Sequence, residues 1–288
     1  MARCFSKGGV AVITGGASGI GRAAARRAAA SEMSVVLVDV DADKLEALRA
    51  ELAEQLGPER VMAERVDVSD PGAMTALAAR VEAQLGSPTL LMNNAAAFVS
   101  GGPGGILDDN SNWQRVMAVN VMGVVNGVQA FLPGMLASDR AGVIVNTGSK
   151  QGLTNPPGNP AYNTSKAAVN AYSQNLARDL RERDKCRVTA HLLIPGWTTT
   201  GDRVHQKGAW LPEQVVDYMD QAIAADRFFI LCPDDETPNG VDHKRIVWNA
   251  LDIVENRPAL SRWHPDYKEA FAQFMDADLP TTNRSTSS

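Results

Sequence analysis

The 288-residue chain predicts an α/β fold: one doubly wound parallel sheet of seven strands, helices on both faces, and a helical C-terminal extension. Short apolar runs alternate with longer amphipathic segments, the pattern of strands buried on both faces between crossover helices. A glycine-rich turn follows the first apolar run directly. The residues able to do chemistry fall just after the apolar runs, at the strand ends where ligands gather in such sheets. The expected strands are 9–14, 34–39, 60–66, 89–92, 142–147, 188–194 and 227–231; the expected helices are 19–31, 42–56, 71–85, 110–136, 160–183 and 212–225.

The first strand, Val10-Ala11-Val12-Ile13, runs straight into Thr14-Gly15-Gly16-Ala17-Ser18-Gly19-Ile20-Gly21 and then an Ala- and Arg-rich helix. Glycines at this turn permit unusual dihedrals and let a pyrophosphate approach the backbone. The helix N-terminus adds free N–H groups and partial positive charge. The arrangement suits a dinucleotide and makes the fold Rossmann-type. The next strand, Val35 to Val38, ends in Asp39, eighteen residues beyond Gly21. A carboxylate there accepts hydrogen bonds from ribose hydroxyls and repels a 2′-phosphate, so NAD is expected in preference to NADP.

Tyr162 and Lys166 lie four residues apart, one helical turn, and Tyr162 lies thirteen positions after Ser149. At that spacing side chains share a helix face, so the ammonium can lie beside the phenol. An ordinary Tyr titrates near ~10, and a neighbouring cation favours the phenolate. Tyr162 is thus expected to accept and donate a proton, with Ser149 holding the substrate oxygen. Of the four Tyr, only Tyr162 has Lys at this spacing.

From Val10 to Leu231 these residues resemble the compact, NAD-preferring branch of the short-chain dehydrogenase/reductase family. Thr14 to Gly21 looks like the family's cofactor turn and Asp67-Val68 like its adenine-contacting pair. Asn93-Asn94-Ala95 matches its post-strand motif, with Ala96 where Gly is usual. The resemblance implies a catalytic tetrad of Asn120, Ser149, Tyr162 and Lys166, with Asn120 placing a water in a relay to Lys166. It implies cofactor contacts from Gly15, Ser18, Gly19, Ile20, Gly21, Asp39, Asp67, Val68, Asn94, Ala95, Tyr162, Lys166, Pro195, Gly196 and Thr200, with Ile194 near the nicotinamide. It also implies that Lys166 depresses the Tyr162 pKa and binds the nicotinamide ribose. The activity implied is reversible hydride transfer between a secondary alcohol or ketone and NAD(H).

Length and composition fit one domain over 1–288 with a sizeable core: 44% of residues are hydrophobic and 21% charged. A net charge of −5 gives no basic footprint for nucleic acid. No apolar stretch reaches membrane-spanning length and the first residues lack a secretory apolar region, so a cytoplasmic protein is expected. Cys4, Cys186 and Cys232 are too scattered for a disulfide framework, and the four His show no zinc spacing, so no metal is expected. Ser149 has no G-x-S-x-G elbow, which argues against a hydrolase.

Substrate contacts are expected from Ser149, Gln151, Leu153, Asn159, Tyr162, Trp197 and Trp210, with Tyr218 and Met219 as further candidates. Long connections around Gly101 to Gly105, from Gln151 to Asn159 and over a lid region at 196–225 lie at the active-site end. The expected substrate is an alcohol or ketone with a sizeable apolar or aromatic portion. An extension at 232–280 carries Trp248, Trp263, Tyr267, Phe271 and Phe274, which pack it on the core or a second subunit, and 281–288 is expected to be disordered. The helices at 110–136 and 160–183 offer a two-fold interface, for a homodimer or homotetramer. Two rival functions stay open: an NAD-binding regulator without turnover, and a non-redox lyase or dehalogenase on the same scaffold. The full tetrad counts against the first and the intact glycine turn against the second.

Overall fold

The computed structural model of the chain describes residues 4–98, 110–201 and 203–279. The Gly101 to Gly105 turn and the segment 281–288 lie outside the described residues. The strands are β1 (Val10–Thr14), β2 (Ser34–Asp39), β3 (Val61–Arg65), β4 (Leu90–Asn93), β5 (Gly142–Thr147), β6 (Val188–Ile194) and β7 (Phe229–Leu231). They form one sheet in the order β3-β2-β1-β4-β5-β6-β7, with every neighbouring pair parallel. After β3 the chain crosses to the far side of β1, so β1 and β4 flank the switch point where a crevice opens.

The helices are α1 (Gly19–Ala30), α2 (Ala42–Leu56), α3 (Pro71–Leu85), α4 (Asn110–Met117), α5 (Gly123–Ala137), α6 (Gln151–Thr154), α7 (Pro160–Glu182), α8 (Pro212–Ala224), α9 (Asn239–Val254) and α10 (Lys268–Asp276). The period-two alternation of the strands assigns the two faces. Ala11, Ile13, Val35, Leu37, Leu90 and Met92 pack with the buried residues of α1, α2 and α8. Val10, Val12, Val36, Val38 and Leu91 pack on the opposite side with those of α3, α5 and α7. Sequence punctuation sets several helix starts. Asp41 accepts from the Lys44 amide to cap α2, and Asp70 accepts from the Gly72 and Ala73 amides at the start of α3, ahead of Pro71.

The expected 227–231 strand begins only at Phe229, because the amides of Asp226 and Arg227 close the end of α8 on the Ile223 and Ala222 carbonyls. The expected 110–136 helix is interrupted by a π turn at Ala118–Met122, which carries Asn120. The run Asn110–Ala137 (28 residues) contains an 18-residue window apolar enough to cross a membrane (mean hydropathy 1.5), contrary to the expectation that no stretch is. Its apolar residues Val128, Phe131 and Met135 are buried under the sheet, as in a core helix.

Past β7 the chain forms α9 and α10 around Trp248, which is 2% exposed. Phe271 and Phe274 meet its ring edge-on at 5.2 Å, the Arg257 guanidinium lies 4.2 Å from it, and its Nε1 donates to Ser261 Oγ at 2.8 Å.

α5 passes so close to the end of β4 that a Cβ on Gly127 would lie 2.1 Å from Asn93 Oδ1. Gly127→Ala is therefore expected to lower stability by about 1–3 kcal/mol through overpacking. An unchanged denaturation midpoint would show that the contact is looser than described.

Candidate active site

The cleft at the carboxyl end of the sheet begins at the β1–α1 turn. Gly15 has φ +63°, and a Cβ there would lie 2.9 Å from Ala95 Cα; Gly19 has φ +50°, and a Cβ there would meet the Thr200 side chain at 3.1 Å. Backbone alone can line the cleft at these two points. Thr14 Oγ1 accepts from the amides of Asn94 and Ala95 at 2.9 and 3.1 Å, tying β1 to the turn after β4. At the end of β2, Asp39 accepts from the amides of Ala17, Val40 and Asp41, which fixes its carboxylate beside the turn.

Pro160 occupies the first turn of α7 and puts Tyr162 at the cleft, with Lys166 one turn later. Lys166 Nζ donates to the Thr147 carbonyl at the end of β5 at 2.8 Å and lies 5.6 Å from the centre of the Tyr162 ring. Both side chains are buried, Tyr162 to 7% and Lys166 to 2% exposure. Burial pushes the Tyr162 phenol up to about 12, against a smaller downward pull from its hydrogen bond with Ser149. Burial pushes Lys166 down to about 8. The expected depression of the Tyr162 pKa by Lys166 is thus reversed in this state: loss of water penalises the charge of both groups, and the ammonium is directed at Thr147.

The cleft encloses about 940 Å³. Gly15, Ser18, Gly19 and Ile20 line it from the first turn, Asp39 from β2, Asp67 and Val68 from beyond β3, and Asn94 and Ala95 from beyond β4. Ser149, Gln151, Tyr162 and Lys166 line it from the β5 side, and Pro195, Gly196, Trp197 and Thr200 from beyond β6.

Five expected site residues lie off the cleft, as do Ile194 and the further candidates Tyr218 and Met219. Gly21 stands behind it, where a Cβ would be 2.1 Å from the Gly15 carbonyl oxygen, so its work is close packing of turn on helix. Asn120 is fully buried. Its Oδ1 accepts from the Ala97 amide, and its Nδ2 donates to the Ala97 carbonyl and Ser165 Oγ, so the side chain braces the wall behind Tyr162. Leu153 packs on the Val124, Val169, Leu192 and Ile194 cluster. Asn159 caps the start of α7 by position. Trp210 turns away to give its Nε1 hydrogen to Asp235 and its ring edge to Tyr218, while Met219 is wholly in the core.

The cleft also contains residues that the sequence reading missed: Phe98, Lys150, Arg203 and Asp234. Phe98 stacks on the Tyr162 ring at 4.7 Å with 22° between planes and is 54% exposed. Its place after the Asn94-Ala95 turn is the one signal that pointed to it; Asp234 had none.

Residues 9–209 match the sequence profile of the short chain dehydrogenases, more than half of the chain. The chain belongs to the short-chain dehydrogenase/reductase family. SadH of Mycobacterium tuberculosis, whose name marks it as an oxidoreductase, is 40% identical over 177 residues, 60% of this chain and 61% of SadH. The chain therefore spans less than two thirds of that relative's length. A family member from Burkholderia phymatum, solved with NAD, superposes with TM-score 0.75 at 32% identity over 89% of this chain and 97% of its own. A metagenomic short-chain oxidoreductase, solved with NADP, gives TM-score 0.65 at 29% identity over 79% of this chain and 97% of its own. The seven-stranded sheet is the family's fold.

The Lys166 shift has a definite sign. A pKa depressed to about 8 from 10.5 means that the folded state carries a penalty for the charged amine at low pH, relieved as pH rises from about 8 to 10.5. Lys166→Met is thus expected to gain melting temperature relative to wild type below pH 8, with the gain shrinking above it. A difference independent of pH would contradict the burial assigned to Lys166.

Proposed function

We propose that the protein is an oxidoreductase interconverting a secondary alcohol and a ketone with a nicotinamide dinucleotide, NAD in preference to NADP, and Tyr162 as general acid and base. The observation that carries this reading is the convergence of Ser149, Tyr162 and Lys166 on one cleft whose far end is the glycine turn and Asp39. The cleft fits the cofactor because Gly15 and Gly19 leave bare backbone where any Cβ would intrude. Gly15, Ser18, Gly19 and Ile20 would hold the pyrophosphate, Asp39 the adenosine ribose, Asp67 and Val68 the adenine, and Asn94, Ala95, Lys166, Pro195, Gly196 and Thr200 the nicotinamide end. The nicotinamide supplies the hydride donor or acceptor.

Ser149 orients the substrate oxygen, and Tyr162 gives a proton to the forming alkoxide or takes one from the alcohol. A phenol held up near 12 is protonated at neutral pH, so it serves reduction directly, while oxidation improves as pH rises and the phenolate forms. Exposed Phe98, stacked on Tyr162, and exposed Trp197, lining the same cleft, support a substrate with an apolar or aromatic portion. Three free thiols agree with a reducing, cytoplasmic setting, and a homodimer or homotetramer through α5 and α7 completes the reading.

Tyr162→Phe is expected to abolish reduced-nicotinamide absorbance changes with a panel of alcohols and ketones while leaving NAD affinity nearly intact. Near-normal turnover would refute the role of Tyr162, and full NAD binding with no turnover in wild type would favour a regulator. Asp39→Ala is expected to shift the NAD-to-NADP affinity ratio towards NADP by about tenfold or more, as removal of a like charge near a phosphate predicts. An unchanged ratio in direct titrations would remove Asp39 from cofactor choice.

A further inference from the structure

Lys150 follows Ser149 in the chain, yet the proposed chemistry has no task for it. Its side chain is 16% exposed, and Nζ lies 2.9 Å from Asp234 Oδ2 and 2.5 Å from Asp242 Oδ2, two carboxylates each 4% exposed. Asp234 follows β7, and its Oδ2 also accepts from the Trp197 amide at 2.9 Å. Asp242 stands in the first turn of α9, with Arg245 3.6 Å from its other oxygen. A second link joins the same two regions: Asn249 Nδ2 on α9 donates to the Leu153 carbonyl on α6 at 3.1 Å. The fit is close enough that a Cβ on Gly196 would lie 2.6 Å from Asp234 Oδ2 and 2.8 Å from Lys150 Nζ. A buried ion cluster contributes little net stability compared with apolar packing of the same volume, whereas it does fix geometry.

We propose that Lys150 is a positioning residue: with Asp234 and Asp242 it clamps the Ser149 turn and the Gly196-Trp197 backbone onto α9, making the C-terminal helices part of the catalytic architecture. These helices lie beyond residues 9–209, the stretch matched by the family profile. Ser149 is held from both sides. Its Oγ accepts from the Gln151 amide at 3.1 Å within the turn, and the next residue is anchored to the extension. The consequence for turnover rests on the oxidoreductase reading above; the clamp itself does not.

Asp242 is the informative position because it does not line the cleft. In the full-length chain, Asp242→Asn is expected to speed amide hydrogen exchange across 149–155 and 196–198. It is also expected to lower kcat by about tenfold or more with KM for NAD changed less than about twofold, since small displacements of an orienting group act on the chemical step. Lys150→Met is expected to do the same, Lys150→Arg to restore part of the rate, and Lys150→Met with Asp242→Asn to lose no more than Lys150→Met alone. Wild-type exchange and kcat in Asp242→Asn overturn the clamp. Losses that multiply in the double variant also overturn it, because Lys150 then acts on the substrate independently of Asp242. If wild type proves to have no redox turnover, the oxidoreductase reading fails, while the exchange comparison still decides the clamp. Should Asp242→Asn fail to fold by its melting curve, Asn249→Ala breaks the second link, and the same rise in exchange across 149–155 is expected.

Discussion

The burial of an amine and a phenol side by side under the end of β5 is the constraint on which the rest of this structure depends. Lys166 and Tyr162 share the first turns of α7, and the Thr147 carbonyl fixes the ammonium. Removing both groups from water makes each prefer its neutral form, which moves the Tyr162 titration up to about 12 and the Lys166 titration down to about 8. At neutral pH the phenol is therefore held protonated more firmly than in water, while the amine gives up its proton more readily than an exposed lysine. The expectation that Lys166 would acidify the phenol counted Coulomb attraction and left out desolvation.

The rest of the fold keeps that pair facing a cleft of the right depth. The β1–β4 switch point opens the crevice, and the Thr14 hydroxyl holds its two walls together. Glycines remove side chains where backbone must be bare, at Gly15 and Gly19 on the cleft and at Gly21 behind it. On the other side, the Asn120 amide binds both backbone groups of Ala97 and reaches Ser165, whose hydroxyl donates to the Tyr162 carbonyl. The π turn presenting Asn120 is therefore linked to the start of the very helix that carries the phenol.

The sheet was legible in the sequence because strands buried on both faces are apolar without interruption and end at turn residues. β1, β2, β5 and β6 lie within a residue of their expected bounds. β7 was read two residues too long because Arg227 and Phe228 continue the pattern, while hydrogen bonding at the end of α8 decides where the strand begins. The π turn leaves no mark in residue type, and so a continuous helix was expected. Glycines and short-range motifs located the end of the cleft proposed for the cofactor. Residues proposed for the substrate side were harder, since spacing does not say which way a loop side chain turns: Trp210 donates its backbone amide to the Trp197 carbonyl, yet one ring lines the cleft and the other reaches Asp235. Lys150 and Asp234 meet across 84 positions, a juxtaposition that no local pattern encodes.

If burial governs the proton carried by Tyr162, the phenol resists ionisation well beyond the ordinary tyrosine range. The direct measurement is a near-ultraviolet pH titration of the folded protein, with the same titration of Tyr162→Phe subtracted to isolate this one ring. The account predicts a midpoint displaced from 10 towards about 12. A phenolate that forms at or below pH 10 in the folded chain would contradict it.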